Sequence, residues 1–223
     1  MEKFYQTMLS NIRKHPLLQK IIMGFTRYIP IITFNSDLEN TARLCFIGQN
    51  AVKSGQTAAG LMGEITNGQG QIIIISGHEE NPSLQQRADG FNREISISYP
   101  QINNLGIRYA YDDDWVAEKI TDEILDKYPN LKGIYITGSG VLGVCKSLQK
   151  ANKIKDIKII ANDFINDNIQ LLSNGTINFL IGQDAYTQGY QSIMLLFHKL
   201  FDNKNPDSKF AYTDIVIKNR FNI

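Results

Sequence analysis

Residues 72–75 are four consecutive isoleucines, entered from Gln71 and left at Ser76. Side chains alternate between the two faces of a strand, so a strand of this composition is apolar on both. It is stable only within a sheet that helices cover on each side, the arrangement of parallel α/β folds. The rest of the chain repeats the theme. Apolar runs at 31–34, 44–47, 107–111, 133–137, 157–161, 177–181 and 213–217 read as further strands. Helical stripes separate them: Ala58, Leu61, Met62 and Ile65; Leu84, Ala88, Phe91 and Ile95; Val116, Ile120 and Ile124; Val141, Cys145 and Leu148; Tyr190, Met194, Phe197 and Phe201. Strands alternating with helices predict βαβ units with right-handed crossovers. Gly175 has the place of a residue that stops a helix. The stretches 77–82, 103–106 and 202–209 read as loops.

Composition narrows the function. Lys and Arg number 23 against 22 Asp and Glu, so the net charge of +1 supplies no basic field for nucleic acid. His15, His78 and His198 stand far apart and outside any metal-ligand spacing, and neither metal nor cofactor is expected. Cys45 and Cys145 form no CxxC pair and lie in apolar runs, which predicts buried free thiols and suits a reducing compartment. No apolar run approaches the ~18 residues of a membrane span. Glu2, Asn11, Arg13, Lys14 and His15 interrupt the first 25 residues, leaving no signal-peptide core, so a cytoplasmic location is expected.

In a parallel α/β sheet the loops leaving the strand C-termini form the ligand crevice. Here those points are polar: Asn35-Ser36-Asp37, the 77–91 loop and helix start with Arg87, Asn162-Asp163, and Gln183-Asp184. Carboxylates, amides and a guanidinium each make paired hydrogen bonds in a plane, which matches vicinal hydroxyls. Asp37, Asp163 and Asp184 could each instead cap a following helix. Trp115 could stack on a sugar, although a lone helical tryptophan is more often core. Gly138-Ser139-Gly140-Val141-Leu142-Gly143 has the GxGxxG form of a dinucleotide site, with Asp163 twenty residues on from Gly143. It falls mid-alternation with no second half after it. There is no GxSxG, P-loop or HExxH motif, and the chain reads as a binder rather than an enzyme.

Several segments, in order, resemble the effector-binding domain of LacI-type transcriptional regulators. They are HPLLQKIIMGFTRYIPIITFNSD; IIIISGHEENPSLQQRADGF; KGIYITGSGVLGVCKSLQK; KIIANDF; SNGTINFLIGQDAYTQGYQSIMLL; and YTDIVIKNRFNI. The resemblance covers roughly residues 15–223. It implies an α/β, two-lobed, periplasmic-binding-protein-like fold with parallel sheets and an incomplete first lobe. Residues 1–48 and 183–209 would form the N-terminal lobe, and 49–182 with 210–223 the C-terminal lobe. It further implies that Arg87 and Asp163 contact a small-molecule effector, most simply a sugar. Asn35, Asp37 and Gln183 would add contacts, and Thr137 or Ser139 would contribute from the ITGSG stretch. The family has a strand, helix and strand ahead of HPLLQ, where this chain has about fourteen residues. Leu17, Leu18, Ile21 and Ile22 could fold back as a helix that partly covers the 31–34 strand. DNA would be reached only through a helix-turn-helix domain that this sequence lacks, no membrane contact is implied, and a homodimer is. The resemblance therefore makes the chain a ligand-sensing module of a regulator. The alternative is a solute-binding protein of a sugar transporter, of the same fold.

Overall fold

A computed structural model describes residues 20, 23–26, 28–37 and 41–223. Leu17, Leu18, Ile21 and Ile22 lie outside these residues. The chain divides into two compact units. Unit 1 takes the described residues up to Gln49 and Gln183–Asp214; unit 2 takes Asn50–Gly182 and Ile215–Ile223.

Unit 2 holds a six-stranded sheet of β3 (Gly70–Ser76), β4 (Ile102–Tyr109), β5 (Leu131–Ile136), β6 (Lys158–Asn162), β7 (Phe179–Gln183) and β9 (Ile215–Lys218). Their spatial order is β4-β3-β5-β6-β7-β9, and the pairs from β4 to β7 are parallel. Its helices are α1 (Ala51–Ile65), α2 (Pro82–Ser98), α3 (Asp114–Lys127), α4 (Val141–Lys150) and α5 (Asn166–Ser173). The isoleucine run divides as a doubly covered strand must. Ile73 and Ile75 join a core with Ala117 and Ile124 of α3 and Val144 and Leu148 of α4. Ile72 and Ile74 join one with Ala58 and Met62 of α1 and Ala88 and Phe91 of α2. All four are fully buried, each contributing about 1.5–3 kcal/mol.

Local chemistry sets the helix starts. Asn50 caps α1 through Lys53 N at 3.0 Å, Asn81 caps α2 through Ser83 N at 3.1 Å, and Asp113 caps α3 through Trp115 N at 2.8 Å. Pro82 fits the first turn of α2, where its missing N–H costs nothing. Past the end of α5, Gly175 takes φ +78, the left-handed conformation a helix stop requires.

Unit 1 contains β1 (Ile32–Phe34), β2 (Cys45–Gln49), β8 (Phe210–Thr213) and α6 (Ala185–Phe201). The strands form a parallel sheet of order β1-β2-β8.

Two readings of the sequence change. Asn103 to Gly106 belong to β4 rather than to a loop. This is an edge strand with a register shift opposite Ile72–Ile74, and Gly106 at φ +91 takes up the irregularity. The closing strand read at 213–217 is two strands. Phe210–Thr213 pairs with β2 in unit 1, and Ile215–Lys218 lies beside β7 in unit 2. Residues 210–214 therefore sit with the first unit rather than the second.

Candidate functional site

The sheet of unit 2 reverses its winding at β3, with β4 on one side and β5 on the other. Such a switch point opens a crevice beyond the strand C-termini. The ends of β3 and β5 are tied there, since Thr137 Oγ1 donates to Ser76 Oγ at 2.8 Å and Thr137 N to Ile75 O at 3.1 Å. Helix α2 brings Arg87 to this point. The residue is 5% exposed, and its Nη1 donates to Thr137 O at 2.7 Å. Its Nη2 lies 3.8 Å from Asp163 Oδ1, a carboxylate 40% exposed. Arg87 Nε is buried and has no hydrogen-bond partner among the described residues. A guanidinium taken out of water with a donor unmet is costly.

Asp163 reaches this place through an unusual backbone. It follows β6 with φ +74, a conformation non-glycine residues seldom adopt, and its N–H donates to Ile181 O at 2.9 Å. Beneath it, Asn162 accepts at Oδ1 from Tyr135 Oη at 2.9 Å and donates through Nδ2 to Ser54 Oγ at 3.4 Å. Tyr135 stacks on Phe91 at 4.7 Å between centroids, and burial pushes its hydroxyl pKa upward.

In unit 2, Thr137, Ser139 and Asp163 follow strand C-termini, and Arg87 meets Thr137 and Asp163 from helix α2. Thr137 is fully buried, and its carbonyl and hydroxyl are engaged with Arg87 and Ser76. Ser139 is exposed in the loop leaving β5. Trp115 is not core: it stands 62% exposed in the first turn of α3, with Lys119 Nζ 3.7 Å from the ring centroid. Its position just after the β4 end follows from the cap at Asp113.

In unit 1, Asn35 follows β1 exposed and left-handed at φ 63. Asp37 forms an ion pair with Arg43 and accepts from Thr33 Oγ1 at 2.8 Å, which ties the loop after β1 back to that strand and to the approach to β2. Gln183 closes β7 and accepts from Gln188 Nε2 at 3.4 Å. Asp184 caps the next helix, accepting from Thr187 N at 2.9 Å and from its hydroxyl at 2.5 Å. Those bonds hold its carboxyl below the usual range.

The GxGxxG glycines have structural duties. Gly140 takes φ +97 as the N-cap of α4, and a Cβ on Gly143 would lie 1.9 Å from Asp114 O across the α3–α4 contact. Gly143 N donates to Asp114 Oδ1 at 3.3 Å, so a carboxylate stands where a dinucleotide phosphate would. Asp163 faces Arg87 rather than a ribose position. The dinucleotide reading fails on these contacts.

Sequence reasoning did not single out Tyr135 or Asn168. Tyr135 lies inside an apolar strand, and Asn168 looks like any polar residue of a helix.

The architecture is thus parallel α/β in two units, with polar groups gathered at a switch point, the place where open α/β sheets bind ligands. The chain belongs to the periplasmic binding protein domain family, whose model matches residues 25–204. No curated protein matches the sequence. Among solved structures, it is similar to a sugar-binding protein of a sugar ABC transporter from Bacillus halodurans. That match has 25% identity and TM-score 0.86, covering 92% of this chain and 74% of that one. It is also similar to AraP, an arabinose-binding protein from Geobacillus stearothermophilus, at 25% identity and TM-score 0.83, covering 93% and 74%. A third is an ABC transporter solute-binding protein from Burkholderia graminis in complex with D-arabinose, at 25% identity and TM-score 0.86, covering 92% and 72%.

These findings overturn the regulator reading: the three structures named are sugar-binding proteins or solute-binding proteins, two of them of ABC transporters, and they share the fold that produced the LacI-type resemblance. The cytoplasmic location is overturned too, because both family and relatives are of the periplasmic-binding-protein type. The thiols that suggested a reducing compartment carry no such information. Cys45 and Cys145 are free and buried, and burial pushes Cys145 up to about 12, so both thiols are shielded from the solvent that a redox compartment acts through.

Proposed function

We propose that this chain is a sugar-binding protein that serves an ABC transporter outside the cytoplasm, the alternative that the sequence left open. It carries out no reaction; it holds a monosaccharide at the strand ends of unit 2 for delivery to a membrane permease. The observation that supports the reading is the buried Arg87, whose Nη2 faces the half-exposed Asp163 carboxylate. Guanidinium donors beside carboxylate acceptors match adjacent sugar hydroxyls. Trp115 offers an exposed ring for the apolar face of a sugar, and Ser139 a further hydroxyl. Thr137 acts through its carbonyl, by orienting Arg87. Calorimetric titration with D-arabinose, D-allose, D-xylose and D-tagatose tests the reading. We expect saturable one-site binding of at least one sugar; heats of dilution alone for every sugar would refute it.

A further inference from the structure

We infer that Asn168 is the positioning residue of the sugar site: it holds the backbone turn that aims the Asp163 carboxylate at Arg87. This rests on the reading of Asp163 and Arg87 as sugar contacts. The observation is a single amide bridging two carbonyls. Asn168 Nδ2 donates to Asn162 O at 3.1 Å and to Asp163 O at 3.0 Å. In an extended strand, successive carbonyls point in opposite directions. One donor can satisfy both only if the residue between them leaves the strand conformation. That residue is Asp163, and its φ of +74 is the departure.

The surroundings leave this task to Asn168. Helix α5 begins directly after the turn, but its N-cap is Ile165, which has no polar side chain with which to cap the helix or brace the turn. On the other side the Asp163 N–H is fixed to Ile181 O at 2.9 Å. The turn is therefore pinned at the N–H by β7 and at the carbonyls by the third residue of α5. Asn168 is 2% exposed, and its Oδ1 finds no partner among the described residues. An asparagine buried with an unmet acceptor is costly where only packing is needed, which points to its donor function. A left-handed aspartate persists only where its surroundings over-determine it, and such residues gather at ligand sites.

The test is a double-mutant cycle with the sugar that the wild-type chain binds most tightly from the panel above. Asn168→Ala is expected to weaken binding by about tenfold or more, and by much less in the Asp163→Ala background. Equal loss in both backgrounds, or no loss in either, would overturn the proposal. Asn168→Ser keeps one hydroxyl donor and is expected to recover part of the affinity. It also serves if the alanine variant does not fold. Hydrogen exchange reads the same device without sugar. The amides of residues 163–168 should exchange faster in the variant, while those of Ile159 and Ile160 stay protected; unchanged exchange at 163–168 overturns it. A wild-type chain that binds none of the sugars would remove the proposed function, and the exchange result would still decide whether Asn168 holds the turn.

Discussion

Glu118 shows how a single carboxylate ties two helices. It projects from α3 and forms salt bridges with Lys146, at 2.8 Å, and with Lys150, both on α4. Hydrogen bonds from the two ammonium groups hold its carboxyl below the usual range. A group with a lowered folded value contributes stability above its ordinary titration, and loses it as pH falls through the folded value. Unit 2 should therefore lose stability as pH falls through the ordinary glutamate range and below it, with a shallower decline in Glu118→Gln. Denaturant melts across that range measure it, and identical slopes in both proteins would contradict the assignment. The three aspartates after apolar strands show what can be read at this scale. Asp184 has Thr187 three residues on, a spacing that favours a cap, and it does cap. The partners of Asp37 and Asp163 are Arg43 and Arg87, and only the fold brings Arg87 across seventy-six positions to Asp163.

Helices α1 and α2 touch through their backbones, and two glycines make that possible. A Cβ at Gly55 would lie 1.9 Å from the carbonyl oxygen of Arg87, and one at Gly90 2.1 Å from that of Val52. An alanine in a helix interior ordinarily gains about 1 kcal/mol over glycine. Here the neighbour is main chain and cannot swing aside, so the helices must separate. Overpacking of this kind costs about 1–3 kcal/mol, and the displaced atom belongs to the proposed sugar-binding residue itself. Gly55→Ala should therefore lower both the denaturation midpoint and the sugar affinity. A variant more stable than the parent, with unchanged affinity, would show that the helices do not meet as described. The periodic stripes announced these helices, and the isoleucine run announced the central strand, because burial on one face or two leaves a direct trace in composition. The glycine contact left none, since Gly55 and Gly90 lie thirty-five positions apart and neither breaks a helical pattern. Residues 103–106 of β4 look like a loop in sequence for a related reason: an edge strand tolerates polar residues and a bulge.

At the scale of the molecule, one architecture accounts for both the legible and the illegible parts of the sequence. The order of strands and helices specifies a parallel α/β protein in two units, and a LacI-type sensor and a transporter's binding protein share it. Fold alone does not separate them. The separation came from relatives whose recorded function is sugar capture, each spanning this chain over more than nine-tenths of its length. Unit 2 carries the six-stranded sheet and the switch point, whereas the described sheet of unit 1 has three strands. The proposed sugar contacts with charge, Arg87 and Asp163, both belong to unit 2. The most direct measurement is calorimetry on Arg87→Ala and Asp163→Ala, using the sugar that the parent binds. Arg87→Ala should weaken binding by about 1.5–3 kcal/mol, the range for hydrogen bonds to a charged group. Asp163→Ala should weaken it as well. Affinity unchanged from the parent in both variants would contradict the claim.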